Sequence, residues 1–349
     1  MNKPFKTIGF LRVSKVPRHL ARLTSILCKY HNIELIYFTP SDISTDEGTV
    51  DGKVLRKNNW EDITAQVPRF IDLRSPILNR KQYKKQLDFL RKEAVLSVDK
   101  RHPVPKDKLN FYFGDELELS KHLIPSKRIK NTVDFFNFLE KHNEIVLKPI
   151  RSNQGRRVSI IKQRRAKFFI NQYQIISGDK TEIISQSALK NWVHAHVKKS
   201  SMMVQKYINS RTPDGHPFDC RIHVEKNGEG KWSNPHNFIR IGIGQKVVSN
   251  VNQGGGISDV DNFLKTYYKD NYKSIRRNIK RIARILPYKI EEKLGKKYMT
   301  FGFDFGIDKQ GNLFLFEVND NPLIAPMRSK VAMLRVDYYN YMLKKLKES

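Results

Sequence analysis

Two apolar, aromatic-rich segments separated by a short polar turn constrain this chain most strongly. Residues 301–307 read FGFDFGI and residues 313–319 read LFLFEVN, which predicts two β-strands joined as a hairpin. Because side chains alternate along a strand, Glu317 and Asn319 share one face, and the turn allows Asp304 to lie across from them. Carboxylates among buried neighbours are costly unless they are paired. The pattern predicts a Mg²⁺ site, with Mn²⁺ as the alternative ion, at Asp304, Glu317 and Asn319; a solvated hairpin with chance acids is the competing interpretation.

The first third of the sequence alternates between strand and helix patterns. Residues 7–13 and 33–38 are β-prone, and a helical pattern follows Pro17 between them, which predicts a βαβ unit. The stretch 48–62 suits a polar hairpin or loop, and a strand at 69–73 is followed by a helical pattern at 83–91. Residues 1–105 are therefore expected to form a small open α/β domain.

The pattern changes after residue 105, and the expected fold class is α/β (α+β). Further strands are predicted at 144–149, 158–162, 202–208, 219–225, 238–243 and 246–250. Helices are predicted at 108–119, 134–141, 187–197, 258–295 with a break at Pro287, and 336–347. This organisation divides the chain into residues 1–105, residues 106–205 and residues 206–349.

The charge of the chain indicates an anionic partner. Sixty-five Lys and Arg residues against 35 Asp and Glu give a net charge of +30, concentrated at 151–167 and 276–297. Nucleotide phosphates, an acidic polymer, nucleic acid or an anionic membrane face would each fit such surfaces. Two distant cysteines exclude a disulfide scaffold and a Cys-based zinc site, and no apolar run approaches the ~18 residues of a membrane span. We expect a cytoplasmic protein without a signal peptide.

A lysine and the polar loop after it suit phosphate binding. Lys148 ends an apolar strand, and the next residues include Ser152, Gln154 and Gly155 beside several arginines. Backbone N–H groups in such a loop can hold phosphate, although the Walker A pattern is absent and an ordinary hairpin loop remains the alternative. The segment VQKYI offers backbone groups to an adenine edge, or is a plain core strand; its polar end comprises Gln205, Lys206, Tyr207 and Ile208.

Arginines on later strands could stabilise a phosphoryl group during transfer. Asp219 and Arg221 lie on one face of a predicted strand, Arg240 lies on the next, and Asn250 precedes a glycine triplet. The alternative is a local ion pair between Asp219 and Arg221. No Ser-His-Asp or Cys-His arrangement indicates a covalent nucleophile. His194 and His196 resemble a metal-binding pair, but residues two apart on a helix point in different directions, so we expect them to be structural or surface residues.

The order of the motifs resembles that of the ATP-grasp enzymes. The motifs are KDKLNF at 106–111, VLKP at 146–149, VQKYI at 204–208, DCRIHV at 219–224, IRIG at 239–242, VSNVNQGGG at 248–256 and DFGID followed by FEVNDNP. Over residues 106–330 the chain looks most like the YheC/YheD endospore-coat-associated branch, and is more distantly similar to RimK-like glutamate ligases. The resemblance implies an ATP-grasp fold preceded by a small α/β domain.

The resemblance also assigns roles to individual residues. Lys108 and Lys148 would contact the ATP phosphates, Gln205 to Ile208 would form the adenine hinge, and Asp304, Glu317 and Asn319 would hold Mg²⁺. Arg221 and Arg240, assisted by Asn250, would line the position of the transferred phosphoryl group.

The function that the resemblance implies is an ATP-dependent carboxylate–amine ligase, which forms an amide through an acyl phosphate. The positive charge suggests an acidic peptide or another anionic polymer as substrate, in a spore-associated setting. Two alternatives stay open: a non-catalytic, nucleotide-binding coat protein, and a basic nucleic-acid-binding protein, although no helix-turn-helix, zinc-finger or RNP signature supports the latter.

Overall fold

A computed structural model describes residues 6–98, 104–150, 157–165, 167–174, 178–242 and 255–348 of the chain. Within these residues the strands form three sheets with α-helices packed against them, and the class is mixed α and β, as the sequence predicts. No α-helix in the described ranges combines the length and apolar character that a membrane span requires.

The first sheet contains the predicted βαβ unit. Its elements are β1 (Lys6–Leu11), α1 (His19–Tyr30), β2 (Ile33–Phe38), β3 (Ile43–Ser44), β4 (Thr49–Arg56), β5 (Asn59–Gln66), β6 (Phe70–Leu73), α2 (Lys84–Glu93) and β7 (Val95–Leu96). Strand β1 pairs in parallel with β2 and β6, while β4 and β5 form an antiparallel hairpin on the far side of β2. The hairpin confirms the first option predicted for residues 48–62.

The second sheet is antiparallel and has the order β12-β11-β10-β9-β13-β8. The elements of this region are α3 (Leu109–Phe113), β8 (Ser126–Ile129), α4 (Thr132–His142), β9 (Glu144–Pro149), β10 (Ser159–Arg164), β11 (Lys167–Gln174), β12 (Gly178–Ile184), α5 (Gln186–Lys199) and β13 (Met202–Lys206). Helices α4 and α5 bury Phe135, Leu139, Leu189 and Val193 in the core beneath this sheet. The helix predicted over 108–119 is wrong in length, because α3 covers only Leu109–Phe113.

The third sheet, also antiparallel, has the order β16-β15-β14-β17-β18. Its elements are β14 (Phe218–Lys226), β15 (Trp232–Ile241), β16 (Gly256–Asp259), α6 (Val260–Tyr268), α7 (Tyr272–Leu294), β17 (Thr300–Ile307) and β18 (Leu313–Asn319). The predicted break at Pro287 is wrong: α7 continues through this residue, and Pro287 lies on its buried side. The hairpin predicted at 301–319 is confirmed, whereas the strand predicted at 246–250 lies outside the described residues.

The last helix joins the third sheet to the first. Helix α8 (Arg328–Glu348) starts eight residues earlier than predicted, and its Val336, Tyr339 and Leu343 share a core with residues of β1, β2 and α1. One helical turn before Tyr339, Arg335 lies between Glu225 of β14 and Asp72 of β6. These contacts fix the first sheet against the third. The division of the chain at residues 105 and 205 stays a prediction.

Candidate active site

Strand register brings the residues predicted to bind the cation onto one face of the third sheet. Arg221 on β14 lies opposite Asp304 on β17, and Asp304 lies opposite Glu317 on β18. Asn319 occupies the next position on the same face, opposite Gly302. Directly opposed residues of an antiparallel pair project to the same side. The face therefore presents two carboxylates, an amide and a guanidinium within neighbouring rows.

Asp304 is held by two arginines, of which Arg221 is buried and Arg240 is partly buried. Its carboxylate accepts from Arg221, with 3.1 Å from Nη2 to Oδ2, and Arg240 Nη2 lies 3.0 Å from the same oxygen. Arg240 also donates to both carboxylate oxygens of Asp219, each at 2.6 Å. Burial alone raises the pKa of Asp304, but Arg221 and Arg240 outweigh it and hold the pKa at about 2. We call these four residues the acid–arginine cluster; its charges cancel, and Asp219 pairs with Arg240 rather than with Arg221.

The donor chemistry of this face fits a hard divalent cation. Asp304, Glu317 and Asn319 all carry side-chain oxygens, the ligands that Mg²⁺ prefers. In the structure, Asn319 Nδ2 donates to Asp304 Oδ2 over 3.1 Å; a half-turn of the amide would present its oxygen instead. No group of three or more His, Cys, Asp and Glu side chains that could hold a metal occurs in the described part of the chain. A cation here would therefore depend on the Asn319 amide, and its binding stays a prediction.

Lys148 lies at the end of β9 in the second sheet and is buried. Its Nζ donates to Gln205 Oε1 over 2.7 Å. Burial, followed by repulsion from Lys106, lowers the pKa of Lys148 to about 7, and attraction to Glu317 opposes the shift. The Lys148 ammonium on the second sheet thus lies close enough to the third sheet for the Glu317 carboxylate to affect its pKa. A buried ammonium with so little compensating negative charge is poised to bind an anion.

The structure adds Lys106, which the sequence reasoning missed, to this site. Lys106 Nζ lies 3.1 Å from Glu317 Oε2, and both side chains are largely buried. Lys108 is exposed, with its Nζ over the ring of Phe111 at 5.2 Å, and its contact with phosphate stays a prediction. Both lysines belong to KDKLNF, where only the short turn before α3 decides which one faces inward.

Gln205, Lys206, Tyr207 and Ile208 follow one another at the end of β13 and just beyond it. Gln205 is buried against Lys148, and Lys206 is exposed. The backbone N–H groups of Lys206 and Tyr207 donate to Pro125 and Glu144, so they are already engaged within the protein. Ser152, Gln154, Gly155 and Asn250 lie outside the described residues, and the roles expected of them remain predictions.

Gly302 leaves room for the Arg221 side chain. A Cβ at this position would lie 2.6 Å from Pro322 Cβ and 3.2 Å from Arg221 Nη1. We expect Gly302→Ala to displace Arg221 from Asp304 and to lower the free energy of unfolding by about 1–3 kcal/mol, as overpacking does. Thermal unfolding measures the loss; an unchanged melting temperature would show that Pro322 and Arg221 yield without cost.

Comparison with known proteins places the chain in a family. Residues 106–345 match a family model described as "YheC/D like ATP-grasp". The chain is 24% identical over 336 residues to the endospore coat-associated protein YheC of Bacillus subtilis (strain 168), covering 90% of this chain and 88% of YheC.

Two solved structures have the same fold at low identity. D-alanyl-alanine synthetase A from Vibrio cholerae is 10% identical with a TM-score of 0.54, covering 99% of this chain and 98% of the synthetase. N5-carboxyaminoimidazole synthetase from Staphylococcus aureus, solved in complex with ADP, is 11% identical with a TM-score of 0.52, covering 96% and 78%. At this identity the likeness concerns the fold alone.

Proposed function

Because the chain belongs to the YheC/D-like ATP-grasp family, we propose that it is an ATP-dependent carboxylate–amine ligase that forms an amide through an acyl phosphate. The chain has the ATP-grasp fold, in common with ligases of this kind. The observation that carries the proposal is that buried Lys148 on the second sheet lies near Glu317, which in turn lies opposite Asp304 of the acid–arginine cluster on the third sheet. Cations on both sheets, with carboxylates between them, suit a magnesium–triphosphate group.

Each half of the site has a separate proposed task. Lys148, and Lys106 once it leaves Glu317, bind the phosphates of ATP, and residues 205–208 lie beside the adenine. Arg221 and Arg240 stabilise the charge that develops when a substrate carboxylate attacks the γ-phosphorus and ADP leaves, giving the acyl phosphate, because their guanidinium groups are already fixed by Asp304 and Asp219. An amine then displaces phosphate from the acyl phosphate, and the amide is released. The protein thus contributes orientation and charge rather than a covalent nucleophile.

Asp304, Glu317 and Asn319 are the residues that would hold Mg²⁺. The ion would supply positive charge that offsets the negative charge of the phosphates. Asp304 would contribute as an ionised carboxylate throughout the physiological pH range, since its pKa is held at about 2.

Glu317→Gln tests the cation site. The substitution keeps the shape of the side chain but removes its charge, so we expect the Mg²⁺ concentration needed for half of the ATP-induced rise in melting temperature to increase about tenfold. Glu229→Gln is the matched control, because Glu229 pairs with Lys231 at the exposed turn between β14 and β15. A response to Mg²⁺ that is equal in wild type, Glu317→Gln and the control would exclude Glu317 as a ligand.

Ligase activity itself is tested by ADP release in a screen of amino acids, acidic peptides and anionic polymers, with mass spectrometry of the products. We expect release that depends on both a carboxylate and an amine. The name of the relative YheC favours a second candidate, a nucleotide-binding coat protein without catalysis. Binding of Mg-ATP without ADP release from any of these mixtures would favour that candidate.

A further inference from the structure

A cavity of about 820 Å³ lies between the first sheet and the segments that flank the β17–β18 hairpin of the third sheet. The loops after β1 and β6 form one wall, and the start of β17, residues 320–325 and the start of α8 form the other. Its volume falls within the range of sites that bind small molecules. It is therefore large enough for a substrate the size of a short peptide.

Arginines dominate the charge of this cavity. Six arginines line the cavity, whereas only two carboxylates of the described residues do, those of Asp72 and Asp320. The arginines are Arg12, Arg18, Arg74, Arg80, Arg328 and Arg335. Two of the six, Arg12 and Arg335, are engaged with Asp72, and Arg335 also pairs with Glu225. The cavity thus has a surplus of positive charge even after its own acids are counted.

The remaining arginines lie where a ligand can reach them. Arg18, Arg74, Arg80 and Arg328 are exposed, and within the described residues none of them forms an ion pair with an acidic side chain. Arg74 donates to Asn321 over 2.8 Å, which holds its guanidinium at the wall. Partial burial of the guanidinium, followed by repulsion from Arg12 and Arg335, lowers the pKa of Arg74, so an anion in the cavity would relieve an existing repulsion.

The cavity adjoins the proposed site of phosphoryl transfer. Asp320, Asn321 and Pro322 line it and directly follow Asn319 on β18. Pro322 and the Arg221 side chain converge over Gly302, so they are neighbours. A molecule in the cavity could therefore place one carboxylate beside Arg221 while its other end contacts the arginines of the first sheet.

We propose that this cavity binds the carboxylate substrate of the ligase, and that the substrate is a small polycarboxylate whose non-reacting acid groups pair with Arg18, Arg74 and Arg328. The inference rests on the proposed function for the identity of the reacting group. The surplus of arginines and the volume of the cavity together favour a small molecule with several carboxylates over an apolar molecule with only one. Each guanidinium group can pair with a carboxylate in a bidentate geometry.

The experiment measures binding of a defined panel by calorimetry at constant ionic strength. Succinate, citrate and acetyl-Glu-Glu-Glu are compared with butyrate and acetyl-Gln-Gln-Gln, using wild type and the double variant Arg18→Gln/Arg74→Gln. We expect the polycarboxylates to bind, the two comparison compounds to bind at least about tenfold more weakly, and the double variant to lose about tenfold in affinity for the polycarboxylates only.

The control variant is Lys273→Gln/Arg277→Gln, which removes two charges from the exposed side of α7 and should bind the whole panel as wild type does. Loss of polycarboxylate binding in both double variants, equal binding in wild type and Arg18→Gln/Arg74→Gln, or binding of no polycarboxylate would overturn the proposal. The melting-temperature response to Mg-ADP distinguishes failure of the proposed ligase function from failure of the proposed polycarboxylate site. If Mg-ADP does not raise the melting temperature but polycarboxylates still bind in a way that depends on Arg18 and Arg74, the cavity assignment stands and the ligase function fails.

Discussion

Lys148→Met is expected to abolish the rise in melting temperature that ADP and ATP produce, while making the unliganded protein more stable. The ammonium is buried with Gln205 as its hydrogen-bond partner, and its pKa of about 7 shows that folding disfavours its charge. A methionine of similar length removes that cost, so we expect the free energy of unfolding to rise by about 2 kcal/mol at or below neutral pH. Nucleotide affinity should fall about a hundredfold, because a charged hydrogen bond to phosphate is lost.

The pH dependence follows from the same pKa. Below about pH 7 the folded and unfolded states both carry the proton, and the stability gain of Lys148→Met is largest. As the pH rises above 7 the folded wild type loses its proton while the unfolded chain keeps it, so wild-type stability increases and the advantage of the variant shrinks. Nucleotide binding by wild type should weaken over the same range, by up to about tenfold per pH unit, since phosphate binds the protonated lysine.

Thermal unfolding with and without nucleotide, across this pH range, checks both effects. Lys127→Met is the matched control: Lys127 lies in the same sheet but is exposed and pairs with Asp134, so we expect little change in stability or nucleotide response. A Lys148→Met protein that is less stable than wild type, or that still responds fully to ADP, would contradict the assignment of Lys148 as a buried anion-binding cation.

Asp72→Ala is expected to cause the largest loss of stability. The Asp72 carboxylate is 1% exposed and accepts from Arg12, Arg335 and Tyr339. Burial raises its pKa, but the two arginines outweigh burial and keep the pKa below its ordinary value. Removing one member of a buried charged group leaves the others uncompensated, so we expect a loss of about 4 kcal/mol.

This loss should appear as a fall in melting temperature of roughly 5–10 °C. Asp62→Ala provides the control, because the Lys53–Asp62 pair is exposed and should contribute less than about 1 kcal/mol. Similar melting temperatures for the two variants would mean that the charges around Asp72 are solvated and do not hold the first sheet to α8. Since Arg12 and Arg335 also line the cavity, Asp72→Ala should in addition tighten polycarboxylate binding.

The sequence predicts the elements whose pattern is local. The βαβ unit and the 301–319 hairpin are confirmed because their apolar runs end at clear turns. Alternation places Glu317 and Asn319 on one face, but Asp304 lies opposite Glu317 only because the pairing shifts by one residue between Asp304 and Phe305, which the sequence pattern does not predict. Strands β11 and β12 are not predicted from the sequence, since basic and amide side chains interrupt their apolar pattern. The Pro287 break fails for a different reason: packing of α7 against the third sheet outweighs the missing N–H of one proline.

Contacts between segments that are far apart in the sequence cannot be predicted from its local patterns. Nothing in KDKLNF distinguishes Lys106 from Lys108, because their orientations depend on how the turn before α3 meets β18. Arg240 pairs with Asp219 because the register of β14 and β15 places the two residues opposite each other. The sequence of either strand alone does not determine that register. The residues that line the cavity likewise come from segments more than 300 residues apart in the sequence. The composition therefore predicts the positive charge but not where in the structure it lies.

The packing of α8 has a consequence for the order in which the protein matures during synthesis. The core around Phe10 and Phe70 is closed by Val336 and Tyr339, so the first hundred residues leave the ribosome without the side chains that complete their interior. We expect that part of the nascent chain to expose apolar surface until translation has passed residue 343, and to depend on chaperones for longer than its small size would suggest.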